Sequence, residues 1–237
     1  MSSSPIYAVV PAAGIGKRMG SELPKQYLTI DNKCIIEYAL QPLLNHPAIE
    51  KVIVSLSEDD QWFAKLEIAK HPKLTTVTGG NERADSVLNA LNVLPECGFV
   101  MVHDGARPCL TTQDISSLIA HVNEQQGAIL GSLVKDTMKR VNENGVIEKT
   151  VSRERLFHAL TPQMFATSQL KSALAEALTE QVEITDEASA MEWRGHSVKI
   201  IEGRSDNIKV TRPEDLNIAR AFLHAHQQHN INENADD

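Results

Sequence analysis

The sequence predicts an α/β fold: a mostly parallel sheet with helices on both faces and a β-arm projecting from it. Short apolar runs alternate with amphipathic segments through residue 134, the pattern of strands buried on both faces and joined by helices. Beyond that point two β-prone runs flank Asn142-Glu143-Asn144-Gly145, a hairpin signal. The chain has 237 residues, 42% hydrophobic and 23% charged. That is enough for one large domain with its own core, needing no disulfide or metal staple. The whole chain, 1–237, therefore reads as a single domain with its arm at about 135–155.

Taken in order, residues 6–10 form an apolar run ending at Pro11 and read as a buried strand. Residues 35–44 have helical spacing and stop before Asn45-His46-Pro47. Residues 51–56 are β-branched and read as the next strand, 59–69 as a helix and 74–77 as a strand. Residues 83–94 form an amphipathic helix with Val87, Leu88, Leu91 and Leu94 on one face, and 99–102 a buried strand. Thr112 caps a helix expected to reach about residue 125, and 128–134 return as a strand.

The run Lys135-Asp136-Thr137-Met138-Lys139-Arg140 is too polar for a sheet interior, so 137–141 and 146–151 are read as a hairpin outside it. A lone hairpin is marginal and leaves its edges unpaired. Exchange of arms in a homodimer is the expectation. Helices follow at 168–178 and at 187–193, the second capped by Asp186, and 198–201 form a further strand. Thr211-Arg212-Pro213-Glu214 has capping-box spacing and opens a last helix to about residue 224. From about 227 the tail is polar and is expected to be disordered.

Composition excludes several functions. Lys and Arg number 23 against 31 Asp and Glu, a net charge of −8. Such a surface repels a phosphate backbone, and 4% aromatics leaves few platforms for stacked bases, so no nucleic-acid partner is expected. No apolar run approaches the roughly 18 residues of a membrane span. Cys34, Cys97 and Cys109 are odd in number and widely spaced, as expected of small buried side chains in a reducing compartment. Met1-Ser2-Ser3-Ser4-Pro5 lacks the basic stretch of a secretory signal, and the expected location is the cytoplasm.

Chemistry concentrates in the loops after the strands. Pro11-Ala12-Ala13-Gly14-Ile15-Gly16-Lys17-Arg18-Met19 follows the first strand, and Pro24-Lys25 comes shortly after. Small residues let successive backbone N–H groups form an anion nest, and Arg18 and Lys25 add two cations, a combination suited to a triphosphate. Met19 replaces the third glycine of the dinucleotide fingerprint, and the Walker pattern is absent. Gly79-Gly80-Asn81-Glu82-Arg83-Ala84-Asp85-Ser86 is either a glycine turn with a capped helix or a loop in which Asn81 or Ser86 reads a base or phosphate.

His103-Asp104-Gly105-Ala106-Arg107-Pro108 ends a buried strand, where ligands of open α/β sheets bind. Asp104 is the candidate carboxylate for Mg²⁺, and Arg107 either contacts an anionic substrate or pairs with Asp104. His103 reads as a satisfied core histidine. Thr137, Arg153, Thr161, Asp186 and Lys209 sit in further short motifs that carry no specific chemistry alone, and Asp186 reads equally well as a helix cap.

Together these segments resemble the 2-C-methyl-D-erythritol 4-phosphate cytidylyltransferases. The pattern P-A-A-G-x-G-x-R-M and then P-K-Q-Y opens the match. Gly79-Gly80-x-Glu82-Arg83-x-Asp85-Ser86, His103-Asp104-x-Ala106-Arg107-Pro108 and Asp136-Thr137-Met138-Lys139 continue it. Ala159-Leu160-Thr161-Pro162-Gln163, Thr185-Asp186-Glu187-Ala188-Ser189-Ala190 and Asp206-Asn207-Ile208-Lys209-Val210-Thr211 complete it, so that the match covers about residues 5–222. The resemblance implies a Rossmann-like nucleotidyltransferase fold, a β-arm homodimer, a Mg²⁺ requirement, and transfer of CMP from CTP to methylerythritol phosphate with release of pyrophosphate.

It also implies residue roles. Arg18, Lys25, Arg153 and Lys209 match the catalytic cations. Pro11, Ala12, Ala13, Gly14, Gly16, Gly80, Asn81, Ser86 and Gly105, with Arg18 and Lys25, match the CTP site. Asp104, Arg107, Thr137, Arg153, Thr161 and Lys209 match the side facing the methylerythritol phosphate, with Asp104 toward the metal. Arg153 lies beside the arm, within reach of a neighbouring subunit. Two positions depart from the family: Gly105 stands where Ala is common, and Asn81 where Asp is frequent. Asn keeps a carbonyl acceptor for the cytosine amino group but drops a charge. The alternatives are a cytidylyltransferase for another polyol phosphate such as ribitol 5-phosphate, a non-catalytic nucleotide-binding module, and a nicotinamide oxidoreductase, which the missing glycine disfavours.

Overall fold

The computed structural model describes residues 4–14 and 23–233, with side chains to Gln228. Strand β1 (Ile6–Pro11) is followed by a 3-10 turn at Lys25–Tyr27, the small hairpin β2 (Thr29–Ile30) and β3 (Lys33–Cys34), and helix α1 (Ile35–Asn45). Next come β4 (Ile49–Leu56), β5 (Leu74–Thr78), α2 (Arg83–Leu91), β6 (Phe99–Val102), α3 (Thr112–Ile119) and β7 (Gln126–Leu133). The arm is β8 (Met138–Val141) and β9 (Ile147–Val151). The chain closes with β10 (Phe157–Ala166), α4 (Thr167–Thr179), α5 (Glu187–Trp193), β11 (Ser197–Glu202) and α6 (Asp215–Glu233).

Seven strands form the central sheet in the order β11-β7-β10-β6-β1-β4-β5. All neighbours are parallel except β10, which runs antiparallel to both β6 and β7. Alternate side chains of β1 serve opposite faces. Ala8 and Val10 pack with Leu40 and Leu43 of α1 and Leu118 of α3, while Tyr7 and Val9 pack with Val87 and Leu91 of α2 and Leu170 and Leu174 of α4. This two-sided burial is why the strands read as continuous apolar runs. A third cluster lies to one side, where Ala219 and Leu223 of α6 cover Ile30, Ile35, Cys109 and Val210.

The predicted parallel sheet, arm and most helices are present, with four differences. The expected helix at 59–69 is two 3-10 turns, Phe63–Lys65 and Glu67–Lys70. Asp60 Oδ1 accepts the N–H groups of Trp62 (3.1 Å) and Phe63 (2.8 Å), a local turn that competes with a continuous helix. Helix α3 is capped by Thr111 rather than Thr112 and stops at Ile119, because Asn123 and Gln126 close a tight turn by exchanging both backbone hydrogen bonds.

Helix α6 opens at Asp215, three residues later than capping by Thr211 implies. Asp215 Oδ2 accepts the N–H groups of Thr211 (2.8 Å) and Arg212 (2.9 Å) and the Thr211 hydroxyl (3.0 Å). The helix continues to Glu233 instead of giving way to a disordered tail near 227. Finally, β10 is a strand that the sequence pattern does not predict. Pro162 interrupts its sequence, and proline argues against a central strand. The pairing with β7 skips from Ala159 to Gln163, and that irregularity accommodates the proline.

Candidate active site

A cleft opens where β1, β5 and β6 end, at the carboxyl edge of the parallel strands. Pro11, Ala12, Ala13 and Gly14 line one wall and Gly80, Asn81, Glu82 and Ser86 another. Asp104, Gly105 and Ala106 form the floor, with Lys25, Gln26, Arg83 and Lys209 around it. Gly16 and Arg18 lie outside the described residues. Gln26, Glu82, Arg83 and Ala106 are cleft residues to which no role had been assigned, although each stands inside a motif that marks the family.

The glycine loop is shaped by contacts within itself. The Gly80 N–H donates to Ser86 Oγ at 3.0 Å, and the Ser86 hydroxyl lies 3.1 Å from the Glu82 carbonyl. A Cβ at Gly80 would fall 2.2 Å from Asp85 Cβ, so only glycine fits beneath the helix start. Gly105 is different. A Cβ there would meet Val10 Cγ1 at 3.3 Å, a contact that a shift of a few tenths of an ångström relieves. The family's common alanine and this chain's glycine are therefore nearly interchangeable. On the opposite wall Gln26 Nε2 donates to the Ala12 carbonyl at 2.7 Å, which ties the Lys25 segment to the loop after β1.

The floor is a buried ion cluster. Asp104 Oδ1 takes Arg83 Nε at 3.0 Å, and Oδ2 takes Lys209 Nζ at 3.0 Å and Arg107 Nε at 3.3 Å. Burial opposes ionisation of the Asp104 carboxyl. The charges of Arg83, Lys209 and Arg107 overcome it and hold the group well below the usual carboxylate range. Arg83 is itself gripped from behind, with Nη1 2.6 Å from Glu187 Oε1 and Nη2 3.0 Å from Oε2.

Behind Asp104 runs a hydrogen-bond chain. Its N–H donates to Thr161 Oγ1 at 3.0 Å, Thr161 Oγ1 lies 3.1 Å from His103 Nδ1, and His103 Nε2 lies 3.1 Å from the Arg107 carbonyl. Burial lowers the His103 pKa to about 4, so the ring is neutral and serves both neighbours.

Two residues expected to face the substrate are occupied by this scaffold. Arg107 is buried, with Nη1 on the Asn207 carbonyl at 2.8 Å and Nε on Asp104, and Thr161 is buried between Asp104 and His103. Thr137 and Arg153 lie on or beside the arm and not among the residues lining the chain's own cleft. The exposed Arg153 guanidinium donates to the Lys135 carbonyl. The other predicted residues of the described chain converge on the cleft.

Among the described residues no three metal-binding side chains cluster, so the protein alone offers no complete cage. Asp104 nevertheless fits a cation carried mainly by phosphates. Its carboxylate has about four acceptor positions. Three are taken by Arg83, Arg107 and Lys209, leaving one on Oδ1.

Comparison with known proteins gives the same picture. The model of the family described as "IspD: 2-C-methyl-D-erythritol 4-phosphate cytidylyltransferase" matches residues 6–225. The protein of that name from Shewanella amazonensis is 57% identical over 231 residues, covering 96% of this chain and 97% of that one. Its Aeromonas hydrophila counterpart is 56% identical over 228 residues, covering 96% and 92%. A crystal structure of a 4-diphosphocytidyl-2C-methyl-D-erythritol synthase superposes with a TM-score of 0.81 at 35% identity, over 94% of this chain and all of that one. The Francisella tularensis cytidylyltransferase superposes with a TM-score of 0.78 at 32% identity, over 92% of this chain. With its cleft built from the family's motifs, this chain belongs to the 2-C-methyl-D-erythritol 4-phosphate cytidylyltransferase family.

Proposed function

We propose that the cleft transfers CMP from CTP to 2-C-methyl-D-erythritol 4-phosphate, giving 4-diphosphocytidyl-2-C-methyl-D-erythritol and pyrophosphate. The observation that carries this reading is the convergence of Lys25, Arg83 and Lys209 with Asp104 at the strand ends, beside the glycine loop. An oxygen of the substrate phosphate attacks the α-phosphorus of CTP, and the bond from that phosphorus to the bridging oxygen breaks. The attacking group is already an anion and needs no general base. Catalysis is positioning plus stabilisation of charge on the transferred phosphoryl group.

Lys25 and Arg18 are the cations for that charge, and Lys209 receives the substrate phosphate. Loop 11–14, Gly80, Asn81 and Ser86 hold the nucleotide, with Asn81 offering its amide to cytosine. Arg107 and Thr161 act from behind by fixing Asp104. Mg²⁺, held by Asp104 and chiefly by CTP oxygens, would neutralise the triphosphate.

We further propose a homodimer built through the arm. Val141, Val146 and Ile147 on the hairpin are 50%, 60% and 59% exposed, more apolar surface than a lone arm keeps in water. Arg153 at its base would then reach the partner subunit's cleft, together with Thr137. The cytoplasm remains the proposed location. No helix among the described residues is long and apolar enough to cross a membrane.

The test is pyrophosphate release from CTP and Mg²⁺ with and without methylerythritol phosphate, with ATP, GTP, UTP and ribitol 5-phosphate as controls. Release that requires both CTP and methylerythritol phosphate is expected. A preference for ribitol phosphate, or CTP binding without turnover, would overturn the reading.

A further inference from the structure

We infer that Glu187, remote in sequence from the cleft, is a positioning residue for the reaction: by holding the outer edge of Arg83 it limits that guanidinium to a single contact with Asp104 and leaves Lys209 its place. Glu187 is fully buried at the first position of α5. Its two oxygens take Nη1 and Nη2 of Arg83 at 2.6 and 3.0 Å, which fixes the plane and reach of the guanidinium so that its contact with Asp104 is the one from Nε to Oδ1. Asp104 Oδ2 is thereby left to Lys209 and Arg107. A guanidinium free of Glu187 would favour the two-pronged contact that carboxylates and arginines adopt when nothing competes. That contact would claim Oδ2 and displace the Lys209 ammonium.

The start of α5 is located accurately enough for this task. The Gln163 side chain donates from Nε2 to Asp186 Oδ2 at 2.8 Å and accepts the Ala188 N–H on Oε1 at 2.9 Å. Gln163 follows Thr161 by two residues on β10, and Thr161 receives the Asp104 N–H. Both sides of the Arg83 bridge, the Asp104 backbone and the Glu187 backbone, are thus referenced to one strand. This explains why the 161–163 and 185–190 segments match the family although neither lines the cleft.

The inference rests on Asp104 and Lys209 acting in the proposed transfer, and the experiment separates the two. Glu187→Gln keeps the shape, removes the charge and sets an amide N–H against a guanidinium N–H. Expected is a fall in kcat of about 10–100-fold, the scale of small misplacements at a reacting centre, with KM for CTP within about threefold. In an Asp104→Asn background the same substitution should cost less than about threefold, because the residue through which it acts is already lost. A crystal structure of Glu187→Gln should show Arg83 on both Asp104 oxygens and Lys209 released, a readout independent of turnover.

A lowered Tm with unchanged kcat per folded molecule, equal losses in the two backgrounds, or an unmoved Arg83 would overturn the inference. If Glu187→Gln does not fold, Glu187→Asp, which keeps the charge and withdraws the carboxylate by one methylene, decides by the same three measurements. Absence of turnover in the wild type would count against the reaction, while the crystal structure would still judge the bridge.

Discussion

Lys25, which lines the cleft, and His103, buried behind it, earn their places differently. Lys25 lies in the short turn between Pro24 and Leu28, and Gln26 pins that turn to the Ala12 carbonyl, so its ammonium is delivered by backbone rather than by chance. Lys25→Ala should lower kcat by about 10²–10³-fold, the usual cost of one preorganised electrostatic partner. CTP affinity, read by calorimetry, should change far less. His103 touches no cleft surface and acts through stability. In the unfolded chain it titrates near 6.5, in the folded protein near about 4. Between those values the unfolded chain takes up the proton and the folded one does not. Stability present above pH 6.5 should therefore fall by about 1.4 kcal/mol per pH unit on the way down to about pH 4. Asp104, whose pKa is depressed, adds its own loss only below about pH 3.9, so the two windows separate. Urea unfolding between pH 4 and 8 should show this slope in the wild type and a flatter one in His103→Gln. At this scale the sequence was informative about which residues matter and less so about how. Asp104 was legible as a carboxylate at a strand end, and Lys209 only through the family motif around it. The burial of Arg107 and Thr161 was not, because a contact between residues 161 and 104 depends on a strand pairing that no local pattern announces.

The arm and β10 mark the two limits of reading elements. The arm was legible because its turn chemistry is local: Gly145 has φ +76, Asn142 Oδ1 accepts the N–H groups of Asn144 and Val146 at 3.0 Å, and two β-prone runs flank them. Strand β10 was not legible because its proline and buried polar residues are tolerated only by the irregular pairing with β7 and by partners on α5. The arm makes few contacts of its own with the domain; its strands pair only with each other. Replacing residues 139–150 with a two-residue turn should therefore leave the thermal transition of the domain within a few degrees. If the proposed arm-built dimer forms, the same change should convert it to a monomer in sedimentation and remove most turnover, since on that proposal Arg153 and Thr137 would no longer be presented to a second cleft. A shortened protein that remains dimeric would place the interface elsewhere.

Across the whole molecule, the two basic sides of the cleft share one support, α6. The segment carrying Lys25 continues into Leu28 and Ile30, and the segment carrying Lys209 is flanked by Ile208 and Val210. All four side chains pack in the cluster that Ala219, Phe222 and Leu223 complete. Polar contacts repeat the arrangement. His224 Nε2 lies 2.8 Å from Asp31 Oδ2 in the β2–β3 turn, and His226 Nε2 lies 2.7 Å from Asp206 Oδ2 in the loop before Lys209. Arg204 joins that second contact through Asp206 Oδ1 at 2.7 Å. The main sheet does not contribute to this cluster, so damage to it should separate activity from global stability. Leu223→Ala should cost about 2–5 kcal/mol, the range for a buried leucine. It should also lower kcat per folded molecule by about tenfold or more, because Lys25 and Lys209 would lose their common reference. Leu118→Ala, a truncation of the same size in the separate cluster beneath α3, should cost comparable stability and leave kcat per folded molecule nearly unchanged. Urea unfolding and active-site-normalised turnover on the pair decide the matter: equal loss of kcat in both variants would mean that α6 supports the fold in general and not the alignment of the two lysines.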